Sequence, residues 1–443
     1  MGSYLDIVDA VAADIRAGRW APGQRLPTHR QLAAEWGVAV ATATRVFAEL
    51  KRTGLAVGEP GRGTFVRDLS VRLVPAEYGP GPDTVWADLS MTQPISPRRG
   101  ELLRSALRDL AAGGDLDALL RQQPPGGRPR DREVAAAFLA DRDIEVEADR
   151  VFLTSGVQHG LDLIGRAVLS PGDVVAVDAL TYPGFKSLAA LHRLELAPIP
   201  AGADGPDLDA LAELCRRRRV RALYSMPSLH NPLGWVLGET ARTRLVELAR
   251  EHDLLLFEDA AYAFLTDPAP AALVTRAPER AFWVSSLSKS VAAGLRFGMM
   301  IVPHRHCELM KSAVRATMSS PPGLVAAVGT GWLADGTVTA LEQVSRDTAA
   351  AHQQVLRREL AGMDVLAHPH SYFGWLRVDP EQRMDRIAAE LSRRGVRIST
   401  ADLFATTAHV PHGLRIAVGS PALADLPQAL GTVRDVLQSV PIG

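Results

Sequence analysis

Short apolar runs alternate with stretches of helical periodicity from residue 88 to about residue 325. Each run has the length of a buried β-strand, and strands that alternate with helices in this way are typical of an α/β domain with a mostly parallel sheet. Six runs carry this prediction: residues 151–154, 174–178, 221–226, 254–258, 282–285 and 299–302. Beyond residue 335, a long helical stretch and two further β-type runs, 372–378 and 413–418, predict a smaller α+β subdomain.

The first 67 residues follow a different pattern, in which three helical segments precede two β-type runs. Thr28 and Gln31 stand at capping-box spacing and predict the start of the second helix, and Gly37 predicts its end. The third helix is expected from about Val40, and the two β-type runs flank the turn at residues 59–63. Three helices followed by a hairpin make a winged helix, whose third helix enters the major groove of DNA.

Between residues 68 and 87 the composition shifts, and Pro and Gly become concentrated, which predicts a linker. The expected organisation is therefore a winged helix at 1–67, a linker at 68–87 and a C-terminal domain at 88–443. Within that domain we expect a large part at about 125–325 and a small subdomain at about 335–443.

The charges are nearly balanced, with 49 Lys and Arg against 50 Asp and Glu, so the whole surface is not expected to bind nucleic acid. The first 67 residues are mildly basic, with nine cations against six anions. For the basic run 216–219, a solvated helix end is favoured over a DNA-binding patch. Two cysteines, no signal-peptide pattern and only short apolar runs predict a cytoplasmic protein without a membrane span. His304 and His306, and His368 and His370, have alternating spacing that could suit a metal, but no metal site is expected.

Residues 21–33, with the wing residues 61–66, closely resemble the GntR family of bacterial winged-helix regulators. Carried over position by position, the resemblance implies DNA contacts by Arg30, Thr42, Arg45 and Arg62. At the head of the third helix the family usually has Ser-Arg, where this chain has Ala39-Val40. The change removes a helix cap and a phosphate or base contact, and a bidentate Arg–guanine contact contributes about 1–3 kcal/mol of discrimination. A dimerisation or relic module is the alternative interpretation.

The chain has only four lysines, and Lys289 stands among small hydroxyl residues after a β-type run, with Arg296 seven positions later. A lysine in this setting can form a Schiff base with an aldehyde cofactor, while hydroxyls and a guanidinium bind a phosphate. Asp259 and Tyr262 follow a buried strand. Pyridoxal phosphate (PLP) needs a carboxylate to keep its ring nitrogen protonated, and Asp259 suits that role.

Other polar and aromatic residues also follow predicted strands. Ser155 lies where a strand meets a helix that begins near Val157, an arrangement that favours phosphate binding. Tyr182 follows the next strand and could stack on a pyridine ring, and Asn231 follows a third and offers a donor. In open α/β sheets, ligands bind at the carboxyl ends of strands. We therefore expect these residues to meet.

This set, in this order over roughly 350 residues, is similar to the fold type I aminotransferases, and with the winged helix the whole chain resembles the MocR subgroup of GntR regulators. The resemblance implies a homodimer with head-to-tail subunits and PLP sites at the subunit interface. It implies these roles: Lys289 as the Schiff-base lysine, Asp259 on the ring nitrogen, Tyr262 and Asn231 on the ring oxygen, Tyr182 stacked on the ring, Ser155, Gly156, Val157, Ser286, Ser288 and Arg296 around the phosphate, and Arg415 on an amino-acid carboxylate. A salt bridge within the small subdomain is the alternative for Arg415.

The expected function is a PLP-dependent regulator that binds double-stranded operator DNA and senses an amine, an amino acid or PLP through an internal aldimine on Lys289. The alternative is an active aminotransferase or related enzyme with a vestigial winged helix. Residues 89–95 stand where the family usually has a Gly-containing substrate loop, and His230 and Leu233 replace the usual Gln and Thr. Because these changes fall near the expected substrate, the sequence leaves open whether the domain turns over amino acids.

Overall fold

The computed structural model describes residues 4–16, 19–21, 24–52, 55–59, 63–66, 85–93, 99–202, 204–382, 384–407 and 410–439. The chain divides into two compact units, Met1–Ala76 and Glu77–Gly443. Of the predicted linker, residues 68–84 lie outside the described part of the chain.

The first unit is a winged helix, as predicted. It contains α1 (Tyr4–Arg16), α2 (His29–Trp36), α3 (Val40–Arg52) and an antiparallel hairpin of β1 (Ala56–Glu59) and β2 (Gly63–Val66). The capping box is present, since Thr28 Oγ1 accepts from the Gln31 amide at 3.3 Å and Gln31 Oε1 accepts from the Thr28 amide at 2.8 Å. Gly37 ends α2 at φ 62°, a left-handed conformation that glycine adopts without strain.

Apolar side chains of the three helices form the core of this unit. Val46, Phe47 and Leu50 of α3 are fully buried and belong to one cluster with Ile7 and Val11 of α1. His29 ties α2 to α3, because its ring stacks on Phe47 at 4.7 Å and its Nδ1 lies 3.1 Å from Thr44 Oγ1. The exposed face of α3 is therefore held in a fixed orientation within the unit.

The second unit contains a seven-stranded sheet in the order β4-β10-β9-β8-β7-β5-β6. β10 runs antiparallel to both of its neighbours, and the other pairs are parallel, so the predicted mostly parallel sheet is confirmed. Its strands are β4 (Val151–Thr154), β5 (Val174–Asp178), β6 (Glu195–Ile199), β7 (Ala222–Ser225), β8 (Leu255–Asp259), β9 (Ala281–Ser286) and β10 (Gly298–Ile301).

A five-stranded sheet in the order β11-β12-β14-β13-β3 forms the smaller α+β part. Its strands are β3 (Ala87–Leu89), β11 (Val365–Leu366), β12 (Phe373–Arg377), β13 (Val396–Thr400) and β14 (Gly413–Ala417). β3 precedes the large sheet in the chain, yet it pairs in parallel with β13, with Ala87 opposite Val396. After β3, the Ser90 carbonyl oxygen accepts from Arg415 of β14, the strand on the other side of β13.

Helices cover both sheets of the second unit. They are α4 (Arg99–Gly113), α5 (Leu116–Leu120), α6 (Pro129–Ala140), α7 (Val157–Val168), α8 (Pro183–Leu191), α9 (Leu208–Arg217), α10 (Glu239–Glu251), α11 (Leu273–Arg276), α12 (Cys307–Thr317), α13 (Gly323–Ala334), α14 (Thr337–Glu359), α15 (Met384–Arg393) and α16 (Leu426–Ser439). Within the described ranges no single helix is long and apolar enough to cross a membrane; only α13 and α14 together, bent by 74° at their break, meet the criteria of length and composition.

Candidate functional site

Lys289 lies in the turn after β9 and contacts a segment that the sequence did not mark as part of the cofactor site. Its Nζ donates to the Thr92 carbonyl oxygen at 2.8 Å and lies 3.0 Å from Thr92 Oγ1. Thr92 Oγ1 is in turn 2.7 Å from the Tyr262 hydroxyl, and Nζ lies 5.9 Å from the centre of the Tyr262 ring. The structure thus brings Lys289 and Tyr262 together around Thr92.

Asp259 ends β8 and is only 1% exposed. Burial raises the pKa of its carboxyl from 3.8 to about 6, against the opposing effects of the Ala261 amide, the Tyr224 hydroxyl and the charge of Lys289. Tyr224 donates to Oδ2 at 2.8 Å, and the Ala261 amide donates to Oδ1 at 3.0 Å. The carboxylate is therefore held in one orientation and titrates close to neutral pH.

Tyr224 was not predicted as a site residue. It lies on β7 beside β8, is fully buried and stacks on Phe185 with ring centres 3.8 Å apart. Burial, with the nearby Asp259 charge, raises the pKa of the Tyr224 hydroxyl well above its usual value, so the hydroxyl keeps its proton and donates. A Tyr inside an apolar run carries no local sign of this role.

The turn between β4 and α7 meets Arg296. Gly156 adopts φ 97°, and a Cβ atom there would lie 2.8 Å from Arg296 Nη2, so the close approach requires glycine. Arg296 Nη2 donates to the Ser155 carbonyl oxygen at 2.6 Å. His159 Nδ1 accepts from the Ser155 amide at 3.1 Å, and burial lowers the pKa of the His159 ring, which favours the neutral, accepting form.

These groups fit a phosphate. α7 has twelve residues and begins at Val157, so its first amides have no partner within the helix and point beyond its N-terminus. The buried Ser288 Oγ has no hydrogen-bond partner within the described structure, as expected for a donor that awaits a ligand. Ser286 lies beside it, since its Oγ accepts from the Ser288 amide at 3.4 Å. A guanidinium, a free hydroxyl and a helix N-terminus thus meet the needs of the PLP phosphate.

Tyr182 precedes α8 and is half-buried. Its ring packs closely over Gly184, where a Cβ atom would come within 2.4 Å of it. The loop before Tyr182 is hydrogen-bonded to the small part of the unit, because the Thr181 amide donates to the Phe404 carbonyl oxygen at 2.9 Å. Tyr182 therefore lies on a loop that is held in part by a hydrogen bond to the small part of the unit.

Arg415 and Asn231 are also in contact. Arg415 Nη1 lies 3.3 Å from Asn231 Oδ1, and Nη2 donates to Ser399 Oγ at 3.2 Å and to the Ser90 carbonyl oxygen. Its guanidinium carbon lies 5.0 Å from the centre of the Phe404 ring. The guanidinium is buried among polar groups, and its role towards a substrate carboxylate stays a prediction.

His230, which stands where the resembled family usually has Gln, is fully buried beside Asn231. Its ring stacks on Trp235 with centres 4.3 Å apart, and its Nε2 lies 3.4 Å from Asp178 Oδ2. Nδ1 accepts from the Leu233 amide at 3.4 Å. His230 thus packs against Trp235 and helps to hold the turn that carries Asn231.

The predicted DNA contacts lie in the first unit. Arg30 on α2 and Arg45 on α3 are exposed, while Thr42, one turn before Arg45, is half-buried. The Arg45 guanidinium lies 5.7 Å from the centre of the Tyr4 ring. Arg62 lies outside the described residues. Among the described residues no group of three or more His, Cys, Asp or Glu residues could hold a metal ion.

Two families match the chain: "Bacterial regulatory proteins, gntR family" over residues 3–66 and "Aminotransferase class I and II" over residues 98–431. The Bacillus subtilis protein named as the uncharacterized HTH-type transcriptional regulator YdeF is 25% identical over 442 residues, which cover 99% of this chain and 95% of that protein. The 2-aminoadipate transaminase of Thermus thermophilus is 34% identical over 186 residues, 41% of this chain and 46% of the enzyme.

Solved structures agree on the fold of the second unit. The kynurenine aminotransferase of Pyrococcus horikoshii superposes with a TM-score of 0.75 at 21% identity, over 80% of this chain and 91% of its own. The fold of this family implies dependence on PLP, and the residues around Lys289, Asp259 and Ser288 fit that cofactor. The chain belongs to the aminotransferase class I and II family and, because a GntR winged helix precedes that domain, it belongs to the MocR subgroup of GntR regulators.

Proposed function

We propose that the protein is a PLP-dependent transcription regulator that binds operator DNA through its winged helix and senses an amine, an amino acid or PLP at Lys289. The observation that carries the proposal is a site fitted for PLP, with the buried Asp259 carboxylate and the Ser288 hydroxyl, in a chain that begins with a winged helix. A head-to-tail homodimer in the cytoplasm is part of the proposal.

The residues have separate tasks in holding PLP. Arg296, Ser286, Ser288 and the turn at residues 155–157 would hold the phosphate. Asp259 would pair with the ring nitrogen, Tyr182 would stack on the ring, and Asn231 and Tyr262 would donate to the ring oxygen. When bound, PLP supplies an aldehyde that bonds to amines and a ring that withdraws electrons. Lys289 provides the amine of the protein itself.

An effector amine would compete with Lys289 for the aldehyde of PLP. The family resemblance assigns to Arg415 the binding of a carboxylate on such an effector, which favours an amino acid over a simple amine. The loop that carries Tyr182 is hydrogen-bonded to Phe404 in the small part of the unit. A shift of that part on effector binding would therefore also move Tyr182. Switching is then a population shift, driven by the different affinities of the effector for two arrangements of the domain. PLP itself is the alternative effector.

Arg45→Ala is expected to weaken binding to the DNA upstream of the protein's own gene about tenfold, because an exposed arginine on α3 is lost from the major-groove face. The measurement is a gel shift with the full-length protein, with and without PLP. Arg217→Ala is the matched control, since Arg217 is exposed in the basic run of the second unit and pairs with Glu213. Equal losses of DNA affinity in both variants would contradict a specific role for α3. If the wild type gave no specific band with or without PLP, the regulator proposal would be wrong.

Tyr224→Phe is expected to weaken PLP binding about fivefold at pH 6, because Asp259 loses one donor that stabilises its ionised form and its pKa rises further. The measurement is a PLP titration followed by fluorescence at pH 6 and pH 8. At pH 8 Asp259 is ionised in both proteins, so the difference should shrink. A difference that is the same at both pH values would mean that Tyr224 acts through packing alone.

A second candidate function is an active PLP enzyme whose winged helix no longer binds DNA. Ala39 at the head of α3 favours this function, because it lacks the capping side chain that the resembled family has there. Only the Ala39 backbone carbonyl accepts from the Thr42 amide, at 2.9 Å. Single-turnover experiments with a panel of amino acids separate the two functions. Conversion of an amino acid to its keto acid without any DNA binding would favour the enzyme.

A further inference from the structure

The segment formed by residues 90–93 connects the expected cofactor site to the small sheet. On one side, the Ser90 carbonyl accepts from Arg415, and Ser420 Oγ bonds to both the Met91 carbonyl and the Gln93 amide, the latter at 3.1 Å. On the other side, Thr92 contacts Lys289 and Tyr262. Residues of the small part therefore hold this segment in place against Lys289.

Thr92 presents two acceptors to the same nitrogen. Its carbonyl oxygen and Oγ1 lie 2.8 Å and 3.0 Å from Lys289 Nζ, and the residue is only 5% exposed. A lysine amine that is not covalently bonded to a cofactor carries at least two N–H groups, and each finds an acceptor here. The Tyr262 hydroxyl, 2.7 Å from Thr92 Oγ1, fixes the orientation of the Thr92 hydroxyl. Thr92, oriented by Tyr262, thus forms a site for a lysine amine that is not bonded to PLP.

We infer that Thr92 is a positioning residue that receives the Lys289 amine when an effector amine takes its place on PLP, and so determines how readily that exchange occurs. The inference rests on the proposed function, since it requires PLP on Lys289. In the exchange, the nitrogen of the neutral incoming amine forms a C=N bond while the C=N bond to Nζ breaks. One proton moves from the incoming nitrogen to Nζ where the C=N nitrogen is protonated before and after the exchange, and two move where it is neutral; no oxidant or other reactant is consumed.

The acceptors favour one side of this equilibrium. While Lys289 is bonded to PLP, its nitrogen has at most one N–H and cannot use both acceptors; once released, it can use both. The Thr92 hydroxyl therefore stabilises the effector-bound state more than the lysine-bound state, and only such a difference can shift the equilibrium. Its removal should leave PLP on Lys289 and raise the amine concentration needed for displacement.

Thr92→Val tests the inference, because valine has the same shape, keeps the carbonyl and lacks the hydroxyl. The PLP-loaded full-length protein is incubated with increasing methylamine, which has no carboxylate for Arg415, and then reduced with borohydride; the fraction of Lys289 that carries PLP is read by peptide mass. The half-displacement concentration is expected to rise on the order of tenfold in Thr92→Val, as for a lost hydrogen bond to an amine, and to stay within about twofold of the wild type in Thr92→Ser.

Two results would overturn the inference. Equal half-displacement concentrations in wild type and Thr92→Val would show that the hydroxyl does not favour the released lysine. A Thr92→Val protein that has already lost its trapped PLP without methylamine would show that Thr92 supports the cofactor site itself. Failure of the underlying proposal is visible separately, because in that case the wild type without methylamine would carry no PLP on Lys289.

Discussion

Lys289→Ala is expected to abolish the covalent attachment of PLP to the protein, with at least a hundredfold less cofactor trapped by borohydride than in the wild type. Lys289 is the lysine that lies among the residues proposed to bind the phosphate, and its charge lowers the pKa of the Asp259 carboxyl against the effect of burial. The measurement is the mass of every lysine-containing peptide after incubation with PLP and reduction. Because the chain has only four lysines, this measurement covers every possible attachment site.

Lys186 and Lys311 provide the controls. Burial lowers the pKa of Lys186 to about 8, so it is a better nucleophile at neutral pH than an ordinary lysine; its Nζ donates to the Leu403 carbonyl oxygen at 2.6 Å. Lys311 is paired with Glu308 near the surface. Lys186→Ala and Lys311→Ala should both retain trapped PLP. A PLP adduct on Lys186 that persists in Lys289→Ala would contradict the assignment, since reactivity would then follow the pKa and not the site.

The sequence predicted the buried strands of the large sheet well, for a physical reason. A strand covered on both faces is continuously apolar, and the polar residue that follows it marks its carboxyl end. β4 and β5 have the predicted bounds, and each of the other four predicted strands differs by one residue at both ends. β6 was missed because it is an edge strand, partly exposed and interrupted by Pro198, which a central strand would not tolerate.

The residues that the sequence missed depend on contacts between distant segments. Tyr224 reaches Asp259 only because β7 and β8 are neighbours in a register that places Tyr224 opposite Phe257. Thr92 reaches Lys289 because the three-residue strand β3 pairs with β13, about 300 residues later in the chain. A short strand with a remote partner leaves no local pattern. The one available sign was that residues 89–95 occupy the position of a substrate loop in the resembled family.

Asp259→Asn is expected to weaken PLP binding about a hundredfold at pH 7.5, because the ring nitrogen loses its ionic partner in a buried site, where a charged hydrogen bond contributes about 1.5–3 kcal/mol. The substitution preserves the shape of the side chain. The amide oxygen can still accept from the Ala261 amide, and the amide nitrogen can donate to the Tyr224 hydroxyl. Equilibrium dialysis of the full-length protein against PLP measures the change.

The same pair of proteins tests the pH dependence. Because burial raises the pKa of Asp259 to about 6, the carboxyl is neutral below that pH and ionised above it. If only the ionised form pairs with the protonated ring, wild-type affinity falls about tenfold for each pH unit below 6. The PLP phosphate, whose second pKa is also about 6, titrates alike with both proteins, so the ratio of their affinities isolates Asp259. That ratio should fall towards one as the pH drops from 7.5 to 5; a constant ratio would mean that the carboxylate charge does not hold the ring nitrogen.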